Sequence, residues 1–185
     1  MKILLVPFSD GEFIFKTDNT LIKSSREYFQ PDFVKTLDAA PALVVRIDKS
    51  AKYVSAKFAK RYYSGITTGI NLCPNDLVQS AYYLDNTTFF TDKFINVNNI
   101  HSNSGADAIS VSIRFDAGDK SILIDKKELP SGDRINQIIE NSTKFATLKC
   151  GDLIFIELSA PIPVVKGDSV NMGHFTSAEL EVFIR

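Results

Sequence analysis

Along most of this chain apolar and polar side chains alternate in short runs, the period expected of strands packed on one face. The runs KILLVP (2–7), EFIFK (12–16), ALVVRID (42–48), ISVSIRF (109–115), KSILID (120–125), DLIFIEL (152–158) and ELEVFI (179–184) are rich in β-branched and aromatic residues, and turn residues bound most of them. A helical period shows in only two places. In SAKFAKRYYSG (55–65), Ser55 is expected as N-cap, Phe58, Ala59, Tyr62 and Tyr63 as one buried stripe, and Gly65 as the left-handed stop. In DRINQIIENSTKFATLKCGD (133–152), Ile135, Ile138, Ile139, Ser142 and Phe145 fall on one face, with Gly151 beyond the end. The polar, glycine-containing stretch NVNNIHSNSGADA (96–108) is expected to be a long surface loop. The pattern predicts a mainly β (α+β) domain with two or three short helices, built around a mixed sheet or a rolled β structure.

A chain of 185 residues is long enough for one domain with a substantial core, so 1–185 is read as a single unit. Twenty-one lysines and arginines against 22 aspartates and glutamates leave no excess positive charge for a phosphate backbone or an anionic bilayer. Nucleic acid and membrane are therefore not expected as partners. The opening MKILLVPFSDGEF breaks its apolar run at Pro7 and meets Asp10 and Glu12 before any cleavage signal, which predicts a cytoplasmic protein. Cys73 and Cys150 have no second cysteine at zinc spacing and are expected as small buried side chains. No basic residue neighbours Cys73 in sequence to lower its thiol pKa. His101, in the polar loop, and His174, in NMGHFTS, lack a nearby acid and nucleophile and are expected as exposed or turn histidines. The pairs Tyr62–Tyr63 and Tyr82–Tyr83 suit half-buried packing with wetted hydroxyls.

Several segments occur in an order that resembles the fumarylacetoacetate hydrolase family, in particular its short single-domain bacterial type. FKTDNTLIK (15–23) is similar to the family's LKPDTALLK, PDF (31–33) leads into the ligand strand, and KFAKRYYSGITTGIN (57–71) is similar to the helix and strand before the family's next acidic motif. Near the end, TLKCGDLIF (147–155), VVKGD (164–168) and ELEVFI (179–184) are similar to TLKKGDLIF, the following glycine-rich stretch and the closing strand. The resemblance implies a mixed β-sheet roll and an enzyme acting on 2-oxo acid or dicarbonyl substrates. It also implies a homodimer, or pairing with a related active subunit.

The resemblance further implies a magnesium or manganese ion held by two glutamates at i and i+2 on one strand and an aspartate from the next motif. Such a pair points to one face, about 6.6 Å apart, and can converge on one ion. Here the corresponding positions are Ala40, Ala42 and Asn71, and hard cations need several anionic oxygens. Asp38, two residues before Ala40 on the same face, is the only nearby acid. The expectation is that no metal or other cofactor is bound, or that magnesium or manganese binds weakly. Tyr82 replaces a family lysine and Phe89 a proline, while Glu157, Leu158 and Ser159 replace a glycine-rich substrate loop, which puts an acid where an anionic substrate would dock. Lys16, Asp18, Gly69, Asp76 and Asp85 match the pattern. Of the side chains at these places, Lys16, Tyr82 and Asp85 are the candidates to touch a ligand, which would be a small organic acid. Together these positions predict a catalytically degenerate protein of that fold, serving as a structural or regulatory subunit or as a small-acid binder. The alternative is an active hydrolase, isomerase, hydratase or decarboxylase.

Overall fold

Strand β1 (Lys2–Val6) forms where KILLVP predicts it, and β2 (Ile14–Thr17) returns antiparallel to it, with Ile3 opposite Lys16 and Leu5 opposite Ile14. A single 3-10 turn, Asp18–Thr20, leads directly into β3 (Leu21–Lys23), and β4 (Glu27–Tyr28) follows. Then come the long strands β5 (Leu37–Ile47) and β6 (Tyr63–Pro74), separated by the short helix α1 (Ala56–Ala59). Beyond them lie β7 (Thr88–Phe90), β8 (Ile95–Asn96), β9 (Ser112–Ala117), β10 (Lys120–Asp125) and helix α2 (Gly132–Phe145). The chain closes with β11 (Leu153–Glu157), β12 (Ile162–Val164), β13 (Ser169–Gly173) and β14 (Glu179–Ile184). These elements come from a computed structural model that describes residues 1–9, 13–23, 27–74, 88–100, 112–175 and 179–185.

The larger sheet runs β2-β1-β11-β5-β6-β7-β3, with β12 added to β5 and β8 to β6. Its two ends, β2 and β3, are consecutive in the chain and joined by only three residues. Those residues reach at most about 10 Å, whereas six strand spacings laid flat cover about 29 Å. The sheet must therefore roll until its edges meet. The smaller sheet, β10-β9-β13-β14-β4, packs with α2 against the outside of the roll.

Rolling divides the side chains of β5 by a period of two. Leu37, Ala39, Leu43, Val45 and Ile47 join the outer core with Ile135, Ile138 and Ile139 of α2. Ala42 and Val44 face inward with Ile3, Leu5, Phe90, Leu153 and Phe155. A strand covered on both faces needs no polar side, so LDAAPALVV is almost uniformly small or apolar.

The architecture is the mainly β, mixed-sheet roll expected, but the elements between residues 55 and 74 differ from expectation. The first helix stops after one turn, and Tyr63 belongs to β6, where its backbone pairs with Ile47. Its hydroxyl donates to Asn136 Oδ1 at 3.2 Å. Aromatic and β-branched residues from Tyr62 onward favour the extended ladder over helix. Gly65 is consequently a strand residue, not a helix stop, and a Cβ there would lie 3.2 Å from Arg46 Nη2. In α2 the stripe holds through Ser142, but Phe145 projects into solvent. Thr143 takes the buried place instead, its carbonyl and hydroxyl accepting the amides of Tyr53 and Val54. The capping residue is Ser131, whose hydroxyl accepts the Arg134 amide. Within the stretch read as loop, β8 and a 3-10 turn over Val97–Ile100 begin it, and 101–108 lies outside the described residues. Cys150 is exposed and Cys73 half-buried, so neither is the interior thiol expected. Among the described residues no helix is long and apolar enough to cross a membrane.

Candidate functional site

One end of the roll's interior is polar. Lys16 sits on β2 opposite Ile3, so the pleat sends its side chain inward, and the ammonium reaches Asn71 on β6, donating to Oδ1 at 2.9 Å. The Asn71 amide nitrogen donates in turn to Glu157 Oε1 at 2.9 Å, and the Phe8 amide donates to Glu157 Oε2 at 3.1 Å. An ammonium only donates and a carboxylate only accepts, so a single orientation of the Asn71 amide satisfies both neighbours. The three side chains are all but sealed from solvent, Lys16 and Asn71 at 2% and 1% exposure. A buried cation and a buried anion thus balance through a shared amide, which is how interior charge is tolerated.

Burial pushes the Lys16 ammonium down to about 8, against the opposing pull of Cys73 and Glu157. Burial likewise raises the Glu157 carboxyl above its ordinary range, opposed by the hydrogen bonds from Phe8 and Asn71 and by the Lys16 charge. Each group is driven toward its neutral form by lost hydration and held near its charged form by the other.

The strand register brings the predicted ligand positions together. Ala40 is paired with Asn71, and Ala42 with Gly69 on one side and Glu157 on the other. Asp38, at the start of β5, pairs with Cys73 and Pro163 and is buried. Its carboxyl is raised by burial, with Lys120 opposing. Tyr82 and Asp85, with Asp76, Tyr83 and His101, lie outside the described residues. Among the described residues no group of three or more histidine, cysteine, aspartate or glutamate side chains is placed to hold a metal ion.

Two features escaped the sequence reading. Glu157 does not stand free against an incoming anion; it is consumed by Asn71 and the Phe8 amide. Its signal was the alternation Leu153, Phe155, Glu157, which puts an acid on the inward face of an apolar strand. Cys73 does have a cationic neighbour, Lys16, brought from the far edge of the sheet by its rolling. His174 also departs from expectation: it is buried, Nε2 3.0 Å from Thr67 Oγ1, and burial lowers its pKa.

Neither a scan of protein-family models nor a sequence search of curated proteins finds a match to this chain. Solved structures do match. A 5-carboxymethyl-2-hydroxymuconate delta-isomerase from Mycobacterium smegmatis is 16% identical with a TM-score of 0.76, the match covering 99% of this chain and 78% of that one. A protein assigned to the fumarylacetoacetate hydrolase family from Yersinia pestis is 15% identical with a TM-score of 0.76 over 100% of this chain and 92% of its own. A maleylpyruvate hydrolase from Sphingobium sp. SYK-6, in complex with manganese(II) and pyruvate, is 16% identical with a TM-score of 0.74 over 99% and 69%. Matches of this quality over the whole chain give the protein the fumarylacetoacetate hydrolase fold.

Proposed function

We infer that this protein is a metal-independent, catalytically degenerate representative of that fold, working as a structural or regulatory subunit or as a binder of a small organic acid. The observation that carries the reading is the bond from Lys16 Nζ to Asn71 Oδ1. The amide oxygen that would have to face a divalent ion already faces an ammonium, and the other two ligand positions are the methyl groups of Ala40 and Ala42. Lys16 and Glu157 cancel one another's charge, so a dication placed between them would leave two positive charges uncompensated in a dry interior, a costly arrangement. The cation is in effect built into the chain. Recognition of an acid by Lys16 would require its ammonium to exchange Asn71 for the incoming carboxylate.

Calorimetry tests this directly. Titrating millimolar magnesium or manganese into the protein, alone and with oxalate present, is expected to give no saturable heat. A saturable curve, or turnover of acylpyruvates or oxaloacetate well above a buffer blank, would replace this reading with the enzymatic one.

A further inference from the structure

Away from the roll, the loop between β5 and α1 holds Tyr53 at φ +51°, the left-handed region that favours glycine and asparagine. Tyr53 is the only non-glycine residue with positive φ among the described residues. The conformation is enforced from both flanks. Ala51 and Leu148 exchange backbone hydrogen bonds at 2.8 and 3.0 Å, the Tyr53 amide donates to Thr143 O at 3.2 Å, and the Val54 amide donates to Thr143 Oγ1 at 3.1 Å. The backbone strain is not repaid by burial, because Tyr53 is 74% exposed. Glycine or asparagine would serve the fold better, so the ring's use lies outside the fold.

Its surroundings indicate what that use is. Tyr53 and Phe58 flank a depression of about 390 Å³, with Lys52 and Arg61 also on its wall and no aspartate or glutamate among its lining residues. Lys52 Nζ lies 4.5 Å from the Tyr53 ring centre, and Arg61 Cζ and Lys57 Nζ lie 4.9 and 5.7 Å from that of Phe58. Asp48 is bonded by Arg46 and Ser64, and Glu140 accepts the Ala56 amide at 3.3 Å. Exposed aromatic anchors ringed by cations are what a partner's apolar side chain with flanking carboxylates would complement.

We propose that the Tyr53–Phe58 depression is a docking site for an acidic segment of a partner protein that carries an aromatic or aliphatic side chain between its carboxylates. The apolar side chain seats between the two rings, and the carboxylates meet Lys52, Lys57 and Arg61. Selection from a displayed library of random dodecapeptides on the intact protein is expected to enrich peptides that combine aspartate or glutamate with a large apolar residue. Fluorescence anisotropy with the enriched peptides should show affinity falling at least about tenfold for Tyr53→Asn and for Lys52→Glu/Arg61→Glu, and falling with added salt. Tyr53→Asn suits the left-handed backbone, so its melting temperature should hold or rise while binding is lost. Enrichment without acids, or equal binding to Tyr53→Asn, overturns the proposal. So does self-association, seen by sedimentation and abolished by Tyr53→Asn, which would make a second copy the occupant. Displacement of the peptides by anionic vesicles or RNA at lower concentration would likewise overturn it.

Discussion

A lysine sealed inside protein gives up its proton more readily than the same lysine in an unfolded chain. For Lys16 the folded value is about 8 against an ordinary 10.5, so between those pH values the unfolded chain holds more protons and stability rises with pH. Below about pH 8 both states are charged and the penalty of burying the ammonium is present in full. The stability of the wild type relative to Lys16→Met should therefore climb by about 3 kcal/mol from pH 8 to 10.5, measured by denaturant titration at several pH values. A flat difference would show that the ammonium is hydrated. Glu157 works in the opposite sense. Its raised carboxyl favours folding fully below the unfolded value, and that contribution fades as pH rises through the folded one. At this scale Lys16, Asn71 and Glu157 were all legible as motif positions, but Glu157 was expected to repel an anionic substrate, not to accept from Asn71 and the Phe8 amide. Their convergence was not legible, because the three strands that carry them lie far apart in sequence.

Pairing between elements decides which substitutions the roll tolerates. Gly69 of β6 lies where β7 and the inner core close in, and a Cβ there would sit 2.7 Å from both Phe89 O and Val44 Cγ2. A backbone oxygen cannot swing aside, so Gly69→Ala is expected to cost about 1–3 kcal/mol, read from the shift in urea midpoint. The same register says how a cation site could be rebuilt. Glu157 already stands opposite Ala42, so that position needs no new acid. Ala40→Glu with Asn71→Asp and Lys16→Met would give three carboxylates and no ammonium. Manganese should raise the melting temperature of that variant by several degrees while leaving the wild type unmoved; an unresponsive but folded variant would show that the ligand strand has been misassigned. Strand β10 and strand β14 occupy the spans their alternation predicts. Strand β6 was hidden because Ser64, Gly65, Thr67, Thr68 and Gly69 blur any apolar period, and its stability comes from long pairing with β5 and shorter pairing with β7 and β8, a tertiary effect that local pattern does not carry.

For the molecule as a whole, composition and period were enough to indicate a mainly β protein, but closure of the sheet belongs to no single segment. β1 lies between β2 and β11, parallel to the latter, with Ile3 beside Leu153. β11 also supplies the neighbour of β5, so removing it would split the larger sheet through its middle. A chain shortened to residues 1–150 should therefore lack the slow-exchanging amides of β1 and β5 in hydrogen-exchange measurements, even though both strands remain in it.

That placement of β1 has a consequence for biogenesis. β2 covers one edge of β1 soon after it is made, but the other edge must wait open until strand β11, some 150 positions further along the chain, has left the ribosome. Contacts of such long range form slowly. An apolar strand kept waiting with an open edge is a template for the wrong partner, so this chain should need protection by chaperones during synthesis.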